Sequence, residues 1–374
     1  MMMMTALALL LSTPQPGQLA EDGKTIIVTA QSLADTGAAL RNCLARHCTP
    51  AEDIEASAAH AENLFVAGRY ENAMAVLGDS IGRNKFFARQ LPVEVAGLYR
   101  AYSRVSVHLG HESQYRSSSY QIVRALKAGL PDNDPKVVAG RFEVAAMQLN
   151  LGKLRLARDT YGEIAGQAAK IGRGDLARIA KLRVAWIDFL LGDESGARNK
   201  LQKMAADDAP EARVSRISAL VLLSRMAREK GKDGNTDQLI AELKKAKLDK
   251  PVLLYSPPMQ LKRSPIQDEA EVGSVLRLWA TDTFDDKWVD VGFWVDPDGR
   301  VREAEILRRS GDTNWTPTLM ASINGRIYAP LTDPTGSYRV ERYTYTALWE
   351  DRTGTRLKQR SANARVEMLD LSAD

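Results

Sequence analysis

Five glycines, Gly68, Gly110, Gly152, Gly192 and Gly231, follow one another at intervals of 42, 42, 40 and 39 residues, and this spacing constrains the fold more than any other feature. Three of them sit in a shared frame: Ala61–Gly68–Ala73–Leu77, Ala145–Gly152–Ala157–Tyr161 and Ala185–Gly192–Ala197–Leu201. Looser copies at Gly110 and Gly231 put Ser103 and Ser224 in the first small position. The surrounding sequence is rich in Ala and Leu and poor in β-branched runs, so it reads as helix from residue 32 to 247. Each element of the frame has a physical task. Glycine closes one helix in a backbone conformation that costs other residues energy. Small side chains on either side let two antiparallel helices approach, and the large apolar residue fills the groove of the next pair. One such hairpin cannot bury its apolar face alone, so the pattern predicts a stack of hairpins, a solenoid.

The small–Gly–apolar–small–large order resembles the tetratricopeptide repeat. The period near 40 exceeds that repeat's 34 and implies longer helices or connecting loops; by period alone HEAT or armadillo repeats fit better. The Gly-turn offsets favour the tetratricopeptide type. The resemblance implies a ligand groove along the first helix of each pair, which places Arg100, Arg104, Asn150, Trp186, Arg225 and Arg228 there. Four arginines and a tryptophan suit a peptide bearing acidic groups or a free carboxylate. The competing reading is a core tryptophan and solvated arginines.

At Lys250-Pro251 the composition changes. Residues 248–265 hold several prolines, incompatible with a helix interior, and read as a linker or opening strand. Residues 266–350 then carry strand patterns: Trp288–Val295, a turn at Asp296-Pro-Asp-Gly299, and a returning strand at Val301–Leu307 that ends at Ser310-Gly311. Helical periodicity runs from Trp315 to Tyr328, and a last strand from Tyr338 to Trp349 alternates Val340, Arg342, Thr344 and Thr346 with Glu341, Tyr343, Tyr345 and Ala347. The aromatic face is the better candidate for burial. The order β-β-α-β predicts one helix on an antiparallel sheet, an α+β module. Residues 351–374 form a tail with room for one further strand.

The segment 256–350 resembles the C-terminal domain of TonB-type energy transducers, on the strength of Val291-Gly-Phe-Trp-Val295, Asp298-Gly299, Ser310-Gly311 and Ile327-Tyr-Ala-Pro330. That resemblance implies a periplasmic module that pairs with an extended peptide of an outer-membrane protein by adding a strand, with Tyr343 and Tyr345 on the accepting Tyr338–Trp349 edge. A transducer also needs a membrane anchor and a long Pro-rich spacer, and here a helical stack stands in the spacer's place. The expected function is therefore a periplasmic protein- or peptide-binding scaffold. An atypical component of envelope transport and an enzyme with an unrecognised site are the alternatives.

Compartment enters through the N-terminus and the cysteines. Met1–Leu11 is an apolar run of signal-peptide length ahead of a Pro/Gly segment and Ala20, so residues 1–20 are expected to be an export signal, although no basic residue precedes the run. Cys43 and Cys48 are the two cysteines. On an unbroken helix their Cα atoms would lie about 8.6 Å apart, beyond the roughly 7 Å that a disulfide spans. A bridge thus requires the helix to end between them, and Thr49-Pro50 is a stop signal. Free thiols, or a weak metal site with His47, are the other readings.

Charge and motifs restrict the remaining classes. Lys and Arg total 51 against 47 Asp and Glu, a dispersed net +4 that does not suit a nucleic-acid surface. Asp296-x-Asp298-Gly299 lacks the distal ligands of an EF-hand and reads as a turn; Asp282, Asp285, Asp286 and Asp290 read as a solvated acidic loop. Of His47, His60, His108 and His111, three have no carboxylate, Cys or Ser partner at a known spacing, and no Walker A, G-x-S-x-G, H-E-x-x-H or G-x-G-x-x-G motif occurs. No catalytic residue, metal or small-molecule cofactor is expected.

Overall fold

Every glycine of the repeat takes a left-handed conformation, with φ of 77°, 71°, 73°, 96° and 69° in chain order, at the turn that follows the first helix of a pair. The computed structural model describes residues 32–231, 237–246, 251–259, 261, 284, 287–351, 358–361 and 363–372. The expected export signal lies outside them. The helices are α1 (Leu33–Ala45), α2 (Pro50–Val66), α3 (Tyr70–Asn84), α4 (Pro92–His108), α5 (Glu112–Gly129) and α6 (Pro135–Asn150), followed by α7 (Leu154–Lys170), α8 (Gly174–Leu190), α9 (Glu194–Ala205), α10 (Arg213–Glu229) and α11 (Asp237–Ala246). Most run 15 to 18 residues, so the long period resides in the helices rather than in the loops.

The frame residues perform as their sizes dictate. Ala61, Ala73, Ala145, Ala157, Ala185 and Ala197 are at most 2% exposed, and Leu77, Tyr161 and Leu201 at most 1%. The interior of the stack falls into two clusters, one over α2–α5 and the start of α6, the other from α6 to α11. At the N-terminal end, Ser32 and Thr49 each form a reciprocal capping box, with Asp35 and Glu52. Helix α1 stops at Ala45, His47 turns left-handed with φ 52°, and Cys43 and Cys48 come to a Cα separation of 5.1 Å and are bridged. The helix break that the spacing demanded is there.

The C-terminal part contains β1 (Leu253–Tyr255), β2 (Trp288–Val295), β3 (Val301–Ser310), α12 (Thr316–Asn324), β4 (Ile327–Tyr328), β5 (Ser337–Thr346), β6 (Trp349–Asp351), β7 (Lys358–Arg360) and β8 (Arg365–Asp370). One antiparallel sheet has the order β3-β2-β5-β8; β1 pairs with β4, and β6 with β7. The Asp296–Gly299 segment is a turn, in which Gly299 N–H donates to Asp296 O and φ is 83°. Helix α12 covers one face of the sheet, burying Leu319 and Ile323 against Val289, Val291, Phe293 and Val295.

Four expectations are corrected. The helix expected from Trp315 to Tyr328 ends at Asn324: Arg326 N–H turns to Ile323 O, three residues back, and the chain leaves as β4 to pair with β1. The strand expected over Tyr338–Trp349 stops at Thr346. It buries both faces from Glu341 onward, because its Arg342/Thr344 side lies against the helical stack. It is an inner strand, flanked by β2 and β8, so Tyr343 and Tyr345 belong to the core and not to an accepting edge. Finally, Asp290 is no solvated loop residue: it sits inside β2 and is fully buried. Asp282, Asp285 and Asp286 lie outside the described residues.

Candidate functional site

The sheet meets the helices at the glycine-turn end of the hairpins, and the contact is built from charged groups that the strands carry in their interiors. Arg342 is completely buried. Its Nε and Nη2 donate to the two carboxylate oxygens of Asp290 at 2.6 and 2.9 Å, and Nη1 donates to the Phe65 carbonyl at 3.0 Å. Its guanidinium lies 3.9 Å from the centre of the Trp288 ring. Arg308 Nε donates to the same carboxylate at 2.7 Å. Trp288 enters the first helical cluster beside Gly68, where a Cβ would fall 2.3 Å from the indole nitrogen, so this turn admits no side chain.

Next to this group, Thr344 Oγ1 lies 2.9 Å from the Tyr70 hydroxyl and 2.8 Å from His108 Nδ1. Burial, reinforced by the charges of Arg104, Arg342 and Arg365, pushes the His108 imidazole down to about 3. The ring is therefore neutral near pH 7 and can accept from Thr344 while Thr344 accepts from Tyr70. Further along, the Trp349 backbone N–H donates to the Gly110 carbonyl at 2.9 Å, and Arg360 Nη1 donates to Leu109 O at 2.6 Å. Burial raises the Glu367 carboxyl, with Arg365 opposing it.

The six residues expected to line one groove have separate environments. Asn150 accepts from Arg365 Nη2 at 2.5 Å. Buried Arg225 donates to the carbonyls of Leu254 and Leu253 at 2.9 and 2.8 Å, and Arg228 lies 5.2 Å from the Tyr255 ring centre. Three of the six thus hold the chain's own C-terminal part. Arg100 forms a bidentate pair with Glu143, at 2.8 Å for both contacts, Trp186 packs in the second cluster beside Phe189, and Arg104 is exposed. Sequence placed Trp288, Arg342 and Thr344 in strands and read Asp290 with a solvated acidic loop, and gave none of the four a role at this contact. Ionic residues at mid-strand positions were the available signal, since an ion is placed there only when something covers it.

Two strands end the sheet: β8 is largely covered, with Arg365 on it held by Asn150 of the stack, and β3 is the exposed one. Strand β3 pairs with β2 on one side, and among the described residues no strand pairs with its other side. Its faces are largely exposed and carry Arg302, Glu303, Glu305, Arg308 and Arg309, charges of both signs that discourage pairing between like copies. Two register shifts and a left-handed Glu303, φ 51°, bend it away from a flat ladder. An apolar strip reaches this edge across the sheet. The rings of Trp294 and Tyr338 lie 5.2 Å apart and are 40% and 42% exposed, and Leu307 is 43% exposed. Gly292 lies beneath, where a Cβ would come within 2.1 Å of the Tyr338 hydroxyl and 3.0 Å of Leu307 Cδ1. The tyrosine and the leucine therefore close over the glycine into a continuous surface. Among the described residues, no group of three or more His, Cys, Asp or Glu is gathered as a metal site would require.

No protein-family model matches the chain, and no curated protein matches it in sequence. Among solved structures, BtubC (BKLC) from P. vanneervenii is 14% identical with a TM-score of 0.43, covering 58% of this chain and 88% of that one. A putative kinesin light chain of Podosopora anserina with nearly identical TPR-like repeats is 15% identical with a TM-score of 0.40, covering 53% of this chain and 95% of its own. A single-substitution form of the latter gives 15% and 0.41, over 52% and 93%.

Proposed function

We propose that this chain is a periplasmic scaffold that binds proteins or extended peptides through the outer edge of β3 and the adjoining Trp294–Tyr338–Leu307 strip. The observation that carries this reading is the combination of an open strand edge with exposed apolar side chains beside it. An incoming strand gains main-chain hydrogen bonds from the edge and specificity from the strip. The helical stack, in this reading, is the rigid frame that holds the sheet by one face. The Cys43–Cys48 bridge supports an oxidising compartment, and the resemblance to TonB-type C-terminal modules supports strand addition as the mode. No helix among the described residues is long and apolar enough to cross a membrane.

The test uses the full chain, because the sheet leans on the helices. Amide hydrogen exchange is followed with and without a short β-forming peptide carrying apolar residues at alternate positions. Slowed exchange in Val301–Ser310, with β8 unchanged, is the expected result; protection absent from β3 would end the proposal. Leu307→Lys should weaken such a peptide about tenfold, in line with the loss of an apolar anchor of about 1–3 kcal/mol.

A further inference from the structure

A second, independent surface lies at the end of the stack opposite the sheet. There α3 passes to α4 through a single 3₁₀ turn, Lys85–Phe87, and the residues up to Leu91. Phe86 at its tip is 81% exposed, the most of any large apolar side chain among the described residues, and Phe87 is 39% exposed. The Lys85 ammonium lies over the Phe86 ring, 5.1 Å from its centre, and Arg89 is exposed beyond it. The turn is braced. Buried Asp53, near the start of α2, accepts from Arg83 Nε and Nη2 and from Asn84 Nδ2, each at 2.7 Å, and so fixes the last residues of α3. Asn84 is itself buried and donates to the Ser80 carbonyl at 3.0 Å. A phenylalanine held in water forfeits the stabilisation that burial brings, and here the support beneath it makes that exposure a property of the fold.

Charge at this corner is one-sided. The carboxylates beneath the turn are committed, Asp53 to Arg83 and Glu52 to Arg46 of the adjoining α1–α2 turn at 2.8 Å. Exposed Asp79 and Glu94 stand on the flanking helices, and the turn itself carries only Lys85 and Arg89. The other turns at this end differ. The α5–α6 turn holds Asp132 and Asp134, and the α7–α8 turn pairs Arg173 with Asp175 at 2.6 Å; neither presents an exposed large apolar residue. Exposed Val214, at the start of α10, follows Asp207 and Asp208.

We propose that this turn docks on an anionic lipid surface, with Phe86 and Phe87 entering among the headgroups and Lys85 and Arg89 meeting their phosphates. Charge complementarity selects the occupant: cations around an apolar tip match anionic headgroups above hydrocarbon. Shape agrees with it. A ring so exposed is a projection and not a groove, and two rings fall well short of the roughly 800 Å² that a stable protein contact buries on each partner. Helix α3 has 15 residues, a rise of about 22 Å, so a chain docked by this turn holds its glycine turns and its sheet away from the bilayer.

Flotation of the full chain with vesicles tests it, using phosphatidylcholine alone and phosphatidylcholine with about one-third phosphatidylglycerol. Binding to the anionic vesicles at least tenfold tighter than to the neutral ones, and weakening as salt rises, is the expected result. Phe86→Ser with Phe87→Ser should reduce that binding at least tenfold while helical circular dichroism stays unchanged. Should the pair disturb the fold, Phe86→Ser alone, at the more exposed ring, should still reduce it several-fold. Lys85→Glu with Arg89→Glu should remove the preference for the anionic vesicles. No flotation with anionic vesicles, equal flotation with both compositions, or indifference to these substitutions would overturn the assignment. A concentration-dependent dimer that the phenylalanine variant abolishes, with no vesicle binding, would give the patch to a protein contact instead.

Discussion

Gly68 and Gly152 occupy equivalent turns with nearly equal backbone angles, φ 77° and 73°, yet they answer to different demands. At Gly152 a Cβ would meet open space, so Gly152→Ala should cost only the left-handed strain of about 1 kcal/mol. At Gly68 it would strike Trp288, and Gly68→Ala should lower the melting temperature by several times as much. Equal shifts in a thermal melt would show that the tryptophan does not occupy that turn. The periodic pattern disclosed both glycines, but it could not distinguish them, because Trp288 lies 220 residues away from the first. His108 adds a pH signature. Its folded value of about 3 lies below the ordinary 6.5, so between those limits the unfolded chain holds a proton that the folded chain does not. Its contribution is complete above pH 6.5 and is lost as pH falls toward 3, at up to about 1.4 kcal/mol per pH unit. Glu367, with its value raised, acts in the opposite sense. Comparing urea unfolding of the wild type with His108→Gln isolates the histidine: the variant should show the flatter dependence over that window.

At the scale of elements, helix pairs were legible because their apolar faces, caps and turns are local. The sheet was legible only in part. The alternation of Tyr338–Thr346 disclosed two faces, but the partner of the second face is a set of helix ends hundreds of residues earlier, for which the strand itself carries no periodic signal. The accepting edge was misplaced for the same reason: β8, which covers β5, comes from the tail. The buried pair between those layers should behave as buried ions do. Arg342→Met leaves Asp290 in the interior with Arg308 as its remaining partner and should destabilise by about 3 kcal/mol. Asp290→Leu combined with Arg342→Met should recover most of that loss in a denaturant titration; additive losses would mean that the two do not act as a pair. At the opposite end of α2, Cys43→Ser with Cys48→Ser opens a short loop and should cost about 2 kcal/mol by loop-closure entropy, read from the same titration.

For the whole molecule, the composition change at Lys250-Pro251 suggested two bodies joined by a linker. The structure describes a closer association. Trp288 completes the first helical cluster, Leu254 and Ala329 complete the second, and Arg225 fixes the chain that was expected to be a linker. Helical circular dichroism and tryptophan fluorescence should accordingly report a single coincident unfolding transition. Two separated transitions would mean that each part is stable without the other.

That sharing has a temporal consequence for a nascent chain. Phe65 waits for a guanidinium 277 residues downstream, and at ordinary synthesis rates of about 5–20 residues per second the interval is roughly a quarter of a minute to one minute. Throughout it the earliest hairpins have left the ribosome without the buried cation that caps Phe65, a natural period in which chaperones can hold the chain before it locks.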